Sequence, residues 1–341
     1  MIDEKSEPAD HFVSTGSLPE ARSIEAVLEH THRAYAAVDT GELSNVYPAL
    51  ERSDPQHFGL ALVSASGSVH TTGDAHVEFT IMSVAKPFIY ALVCDALGVN
   101  RLRELVGVDA TGLPCNSLHA VERSPGGRTN PMVNSGAIAT TSLFPGAYLE
   151  GRWTEMSAGL SRFAGRNLVL DQEVLNSART TNMRNRALAF LLATARAIKG
   201  DPLEATELYT RQSCMSVTAV DLAVMGATLA DGGVNPLTGE RVVSAAAARN
   251  TLAVMSIAGL YEPSGSWLMD VGIPGKSSIG GGIVAVSPGR GALGTYSACL
   301  DAEGNSVRGQ LSAKAISQEL GFDILVSKPV NITGDKGRFW A

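Results

Sequence analysis

The sequence predicts an α+β fold. An antiparallel sheet is built from strands near both chain ends and flanked by helices, with an inserted all-α lobe beside it. Two patterns predict this. β-type runs come in pairs near the ends, Phe58 to Val63 with Val69 to Ile81, and Gly280 to Val286 with Gly294 to Leu300. Between the pairs the chain reads mostly as helix, so the end strands most simply share one sheet. The chain has 341 residues, 45% of them hydrophobic and 18% charged, with 35 Gly and 15 Pro. Such a chain is globular, and it can bury a large core without disulfides or a structural metal.

Residues 1–22 are polar and read as a flexible segment. From Ser23 to Val38 the apolar residues Ile24, Val27, Leu28, Tyr35 and Val38 keep a helical spacing. Ser64 to Gly67 is a hairpin signal between the first two strands. Helices are expected at 84–97, closed by Gly98, at 131–144, at 170–199 with a break near 176–183, at 203–211, at 217–230, closed by Gly232-Gly233, and at 244–258. Ser287-Pro288-Gly289-Arg290-Gly291 is the second hairpin signal, and Asn305 to Leu320 reads as a last helix ending at Gly321. Residues 23–328 therefore read as one catalytic-sized domain, its helical lobe at about 100–250, followed by a tail at 329–341.

Lys and Arg number 27 against 34 Asp and Glu, a net charge of −7. A basic nucleic-acid surface is not expected, and Arg179, Arg184 and Arg186 read as local ion pairing. Cys94, Cys115, Cys214 and Cys299 are far apart and form no CxxC, which fits reduced thiols in a cytoplasmic protein. No metal-ligand spacing occurs, and no His follows His119. The N-terminus is acidic and unlike a secretory leader, and the most apolar helix, Ala187 to Ile198, is too short to span a bilayer. No metal, organic cofactor, nucleic-acid or membrane partner is expected.

Three motifs carry chemistry. Ser83-Val84-Ala85-Lys86 opens a helix, as Pro87 in its first turn supports. Residues i and i+3 share a helix face, so an uncharged Lys86 could activate the Ser83 hydroxyl. Alone this is weak, because Ser is a common helix cap. Gly275-Lys276-Ser277-Ser278, followed by Gly280-Gly281-Gly282, adds a second cation and backbone that a ligand can approach closely. It is not a phosphate-binding loop, since Asp270 stands where that loop needs Gly. Asn130-Pro131-Met132-Val133-Asn134-Ser135-Gly136 supplies amides that both donate and accept. The order Ser-x-x-Lys, Asn/Ser element, late Lys-Ser is that of serine β-lactamases and penicillin-binding proteins. No Gly-x-Ser-x-Gly elbow supports a Ser-His-Asp hydrolase.

Further segments narrow this. Tyr47-Pro48, Cys115-Asn116-Ser117, Arg184-Asn185-Arg186, Gly259-Leu260-Tyr261 and Gly304-Asn305-Ser306-Val307, together with the three motifs, resemble the serine-dependent glutaminases from about Ile24 to about Leu320. The resemblance implies a β-lactamase-like fold and hydrolysis of L-glutamine to glutamate and ammonia through a Ser–Lys acyl-enzyme. It implies Ser83 as nucleophile, Lys86 as its activating partner and Tyr261 as a second proton-transfer group. Tyr47, Asn134, Asn185 and Tyr209 would hold the substrate, and the N–H groups of Ser83 and Ile279 would form the oxyanion hole. It also implies a homo-oligomer.

Three positions depart from the family pattern. Ala178 stands where the family has Glu, which helps hold the substrate's α-amino group. Met82 replaces a Gln, and Ser278 replaces the Gly of Lys-Ser-Gly. These leave open a diverged homologue with another substrate or with ligand binding alone, and, less closely, a penicillin-recognising hydrolase. They also predict a raised KM for glutamine that Ala178→Glu should lower.

Overall fold

The structure is a computed structural model and describes residue 18 and residues 20–326. The expected tail at 329–341 and nearly all of the segment 1–22 lie outside the described residues.

Helix α1 (Ala21–Tyr35) leads into strands β1 (Gly59–Ser64), β2 (Val69–Gly73) and β3 (Phe79–Thr80). Helices α2 (Ala85–Leu97), α3 (Val99–Val106), α4 (Leu118–Arg123), α5 (Asn134–Ser142) and α6 (Leu149–Ala164) follow. Then come β4 (Val169–Leu170), α7 (Gln172–Thr181), α8 (Met183–Thr194), α9 (Pro202–Ser213) and β5 (Met215–Val217). The chain closes with α10 (Ala219–Ala230), α11 (Ala245–Ala258), α12 (Ser264–Val271), β6 (Gly275–Ser277), β7 (Gly282–Ser287), β8 (Gly291–Tyr296) and α13 (Val307–Leu320).

Both chain ends do feed one antiparallel sheet, ordered β2-β1-β8-β7-β6. Alternate side chains of its strands enter two cores. Leu60, Leu62, Ile283 and Ala285 pack with Ile24 and Leu28 of α1 and Ile316 of α13. Ala61, Val63, Val284 and Val286 pack on Leu222 and Ala223 of α10, with α2 and α11 in the same core. Helices on both faces explain why β1, β7 and β8 are buried along their whole length. Gly294 lets α10 lie directly on the sheet: a Cβ there would stand 2.1 Å from the Ala219 carbonyl oxygen.

The structure corrects several expected bounds. The run Val69 to Ile81 is not one strand. It turns at Gly73, where φ is +62°, and β3 leaves the main sheet to join a small sheet ordered β3-β5-β4. The last strand spans 291–296 rather than 294–300, with Leu300 making isolated bridges to Glu42 and Ser306. The break expected near 176–183 falls at Asn182, between α7 and α8, and α8 ends at Thr194 rather than running to 199. Side-chain caps set several starts: Asp171 on α7, the Thr218–Asp221 capping box on α10, Ser244 on α11 and Ser306 on α13. Helices α3, α4, α6 and α12 were not anticipated, and α10, inside the 100–250 stretch, packs on the sheet. Among the described residues, Arg179 alone of the three arginines makes an ion pair, with Glu207; Arg184 and Arg186 donate to the carbonyls of Asn116 and Arg179.

Candidate active site

Ser83 sits at a bend between β3 and α2. The Ile81 N–H donates to the Met215 carbonyl at 2.9 Å, which ends the strand, and Met82 to Val84 then form a single 3-10 turn. Met82 holds a φ of +46°, a conformation unfavourable for a residue with a Cβ. The Ser83 hydroxyl makes no capping bond, so it is left free for other work. It borders a cleft of about 490 Å³.

Tyr47, Ser83, Asn134, Asn185, Tyr209, Tyr261 and Ile279 all line that cleft. Seven of the eight residues singled out from the sequence thus converge on one space. Lys86 lies beneath it, 2% exposed. Its Nζ donates to Asn134 Oδ1 at 2.7 Å. The same oxygen accepts from the Tyr209 hydroxyl at 3.2 Å, and Asn134 Nδ2 donates to Asn185 Oδ1 at 3.1 Å. The Asn185 side chain in turn lies close to the Tyr47 hydroxyl. Burial lowers the Lys86 pKa from 10.5 to about 8, because an ammonium there has lost its water. Burial moves the tyrosines the other way. Tyr47 rises to about 12, and Tyr209 and Tyr261 lie well above the ordinary phenol value.

The Asn-Pro-x-x-Asn-Ser-Gly segment explains how Asn134 is aimed. Asn130 Oδ1 accepts from the Met132 N–H at 3.0 Å and its Nδ2 donates to the Asp109 carbonyl at 2.9 Å, which fixes the turn. A Cβ at Gly136 would stand 2.0 Å from the Asn130 carbonyl oxygen, so only glycine lets α5 start this close to its own lead-in. The Asn134 N–H then donates to the Cys115 carbonyl at 2.8 Å.

The late Lys-Ser segment closes the opposite wall. Lys276 is fully buried and donates to the carbonyls of Gly259 and Ser277, both at 2.7 Å. Its Nζ lies 4.2 Å from the centre of the Tyr261 ring. Burial and the nearby Lys86 charge push its pKa well below the usual value. Tyr261, at a φ of +60°, lies close to Ser83 and donates to the Ser277 carbonyl at 3.4 Å. The turn carrying Ile279 rests on the Ser83 bend, since a Cβ at Gly280 would stand 2.2 Å from the Thr80 carbonyl oxygen. Among the described residues neither the Ser83 nor the Ile279 N–H donates to another protein group. Two unspent donors beside a hydroxyl suit a developing oxyanion. Ser278, the residue in place of Gly, is fully buried and its hydroxyl has no partner among the described residues.

Ala178 and Met82 fall in one place. They pack together with Leu50, Leu175 and Cys214, against Tyr47 and Ile279, and make one wall of the cleft apolar. Asn182, one turn beyond Ala178, also borders the cleft and was missed. Its i+4 and i−3 relations to Ala178 and Asn185 were the available signal. Among the described residues no cluster of three His, Cys, Asp or Glu could hold a metal ion, and no helix is long and apolar enough to cross a membrane.

Comparison with known proteins finds relatives along nearly the whole chain. A protein-family model described as Glutaminase matches residues 41–325. A protein named Glutaminase 2 from Yersinia pestis is 55% identical over 318 residues, covering 93% of this chain and 94% of its own. A solved structure titled a probable glutaminase, ybaS, superposes with a TM-score of 0.89 at 38% identity, over 91% of this chain and all (100%) of the other. Another, titled Mglu in its glutamate form, gives a TM-score of 0.85 at 36% identity, over 90% of this chain and 71% of the other.

Proposed function

The chain belongs to the glutaminase family and is an enzyme hydrolysing L-glutamine to L-glutamate and ammonia, and we propose that Ser83 is its nucleophile, Lys86 its base and Tyr261 its acid. A non-catalytic homologue is not favoured by the extent of the match. The observation that carries the assignment is a lysine 2% exposed, one helical turn from a cleft-lining serine and held by an amide rather than by a carboxylate. A carboxylate would keep the lysine charged; the neutral Asn134 does not.

Ser83 Oγ attacks the side-chain carbonyl carbon of glutamine, and its proton goes to the neutral Lys86 amine. The carbonyl oxygen becomes an oxyanion at the N–H groups of Ser83 and Ile279. Such donors contribute ~3–4 kcal/mol in sites of this kind. The C–N bond then breaks. The electron pair leaves with the nitrogen, which takes a proton from Tyr261 and departs as ammonia. Tyr261 keeps a proton to give because burial raises its pKa. Water attacks the Ser83 ester and gives a proton to the Tyr261 phenolate; as the ester C–O bond breaks, Lys86 returns its proton to Ser83 Oγ, and glutamate leaves with all three side chains restored. Asn134, Asn185 and Tyr209 are joined by hydrogen bonds along the rim of the cleft, with Tyr47 beside Asn185, which supports their assignment to substrate binding.

The test is ammonia release from L-glutamine by the native chain and by Ser83→Ala. Release that depends on Ser83 is expected. No Ser83-dependent release from any small carboxamide would overturn the assignment.

We also propose a homo-oligomer in the cytoplasm. The exposed Met183 and Phe190, one heptad apart on α8, and the four free cysteines support these two points. Light scattering of the purified chain measures the first.

A further inference from the structure

We propose that Asn182 is the specificity residue that receives the α-ammonium group of the substrate in this chain. The inference rests on the glutaminase assignment and names the acceptor for one end of that substrate. Glutamine brings an ammonium into the cleft, and its three donors need oxygen acceptors once water is displaced.

The acceptors around the cleft can be sorted by what they already hold. Asn134 Oδ1 accepts from Lys86 and Tyr209, and Asn185 Oδ1 accepts from Asn134. Asp301 is spent: Oδ1 accepts from the N–H groups of Glu303 and Asn305, and Oδ2 from Gln310. Glu42 and Glu303 border the cleft but are exposed to solvent, where an ammonium gains little. Asn182 is different. It is 6% exposed, it borders the cleft, and its Oδ1 has no donor among the described residues.

The orientation of that amide is forced. Asn182 Nδ2 donates to Thr210 Oγ1 at 2.9 Å. The Thr210 hydroxyl spends its own proton on the Thr206 carbonyl at 2.7 Å, so toward Asn182 it can only accept. Turning the amide over would face two acceptors. Oδ1 is therefore left as a buried acceptor without a donor, a state a folded protein keeps rarely. It stands one turn past Ala178, beside the wall formed by Leu50, Met82, Leu175, Ala178 and Cys214.

Calorimetry of L-glutamate against glutarate, which differ only by the ammonium, tests this without requiring turnover. The native chain is expected to bind glutamate more tightly. Asn182→Ala should weaken glutamate at least about tenfold and leave glutarate unchanged, as loss of a bond to a charged group predicts. Asn182→Asp, which keeps the shape and adds charge, should keep or enlarge the preference for glutamate. It decides the matter even if the alanine variant folds poorly. No preference in the native chain, equal weakening of both ligands, or a preference lost in Asn182→Asp would overturn the proposal. Failure of the hydrolase assignment is read separately, from the Ser83-dependent ammonia assay.

Discussion

Lys86 Nζ, almost wholly buried, donates to Asn134 Oδ1 at 2.7 Å on the floor of the cleft. Burial of that amine lowers its pKa to about 8, and as the proposed base it would set the pH behaviour of the enzyme. The amine is a base only when uncharged. Its pKa is lowered by burial from 10.5 to about 8, so the active form is lost as pH falls through 8. A plot of kcat/KM for glutamine should rise about tenfold per pH unit below that point and level above it. A profile flat from pH 6 to 9 would exclude Lys86 as the base.

Lys86→Met should be inactive yet more heat-stable. The unfolded lysine binds its proton up to about 10.5 and the folded one only to about 8, so below pH 8 burial costs about 3 kcal/mol. Between those values stability rises with pH; below 8 the penalty is constant. Asn134 Oδ1 still accepts from Tyr209 when the amine is gone, so no acceptor is orphaned. A rise in Tm of several degrees at pH 7, absent at pH 11, is the expected result of a melting series.

Tyr261→Phe keeps a ring over Lys276 and removes the proton donor. The value of kcat for glutamine should fall by roughly 10²–10⁴, with KM little changed. A γ-glutamyl substrate with a nitrophenol leaving group needs no proton, so it should lose far less. Equal loss on both substrates would remove Tyr261 from the leaving-group step.

The apolar wall changes what Ala178→Glu should do. A carboxylate there would stand among Leu50, Met82 and Cys214, away from any cation in that cluster, and burial would raise its pKa. The single substitution should therefore destabilise the chain and leave KM for glutamine nearly unaltered. Met82→Gln with Ala178→Glu supplies a donor beside the acid and should lower KM. Steady-state kinetics on the two singles and the double variant measure the coupling.

Two glycines should respond with opposite sign. Gly294→Ala forces a Cβ to 2.1 Å from the Ala219 carbonyl oxygen, where α10 rests on the sheet. It should cost more than about 3 kcal/mol or prevent folding. At Gly265, exposed in the first turn of α12, a Cβ meets nothing within 4 Å. Gly265→Ala should stabilise by up to about 1 kcal/mol, read as a higher Tm.

Much of this was legible in the residues. Ser83, Asn134, Asn185 and Tyr261 announce themselves through short motifs, and the turn sequences at 64–67 and 287–291 mark both hairpins because turn chemistry is local. What stayed hidden depends on tertiary contact. Helix α6 carries Gly151 and Gly159, weak helix formers, and Gly159 is there because Leu92 lies where its side chain would be. Strand β3 is two residues long and exists only through pairing with β5. Met82 and Ala178 are 96 positions apart, so their shared wall could not be read from spacing. The free oxygen of Asn182 is invisible without knowing that Thr210 has already given its proton away.

Met82 and Tyr261, on either side of the Ser83 hydroxyl, both hold left-handed backbone that side chains ordinarily avoid. Glycine would ease the backbone at both positions yet empty two packed side chains, Met82 at 2% and Tyr261 at 9% exposure, so the net effect on heat tolerance is a loss. Packing thus locks the tension in beside the attacking oxygen, and hardening this catalyst is better pursued far from the cleft.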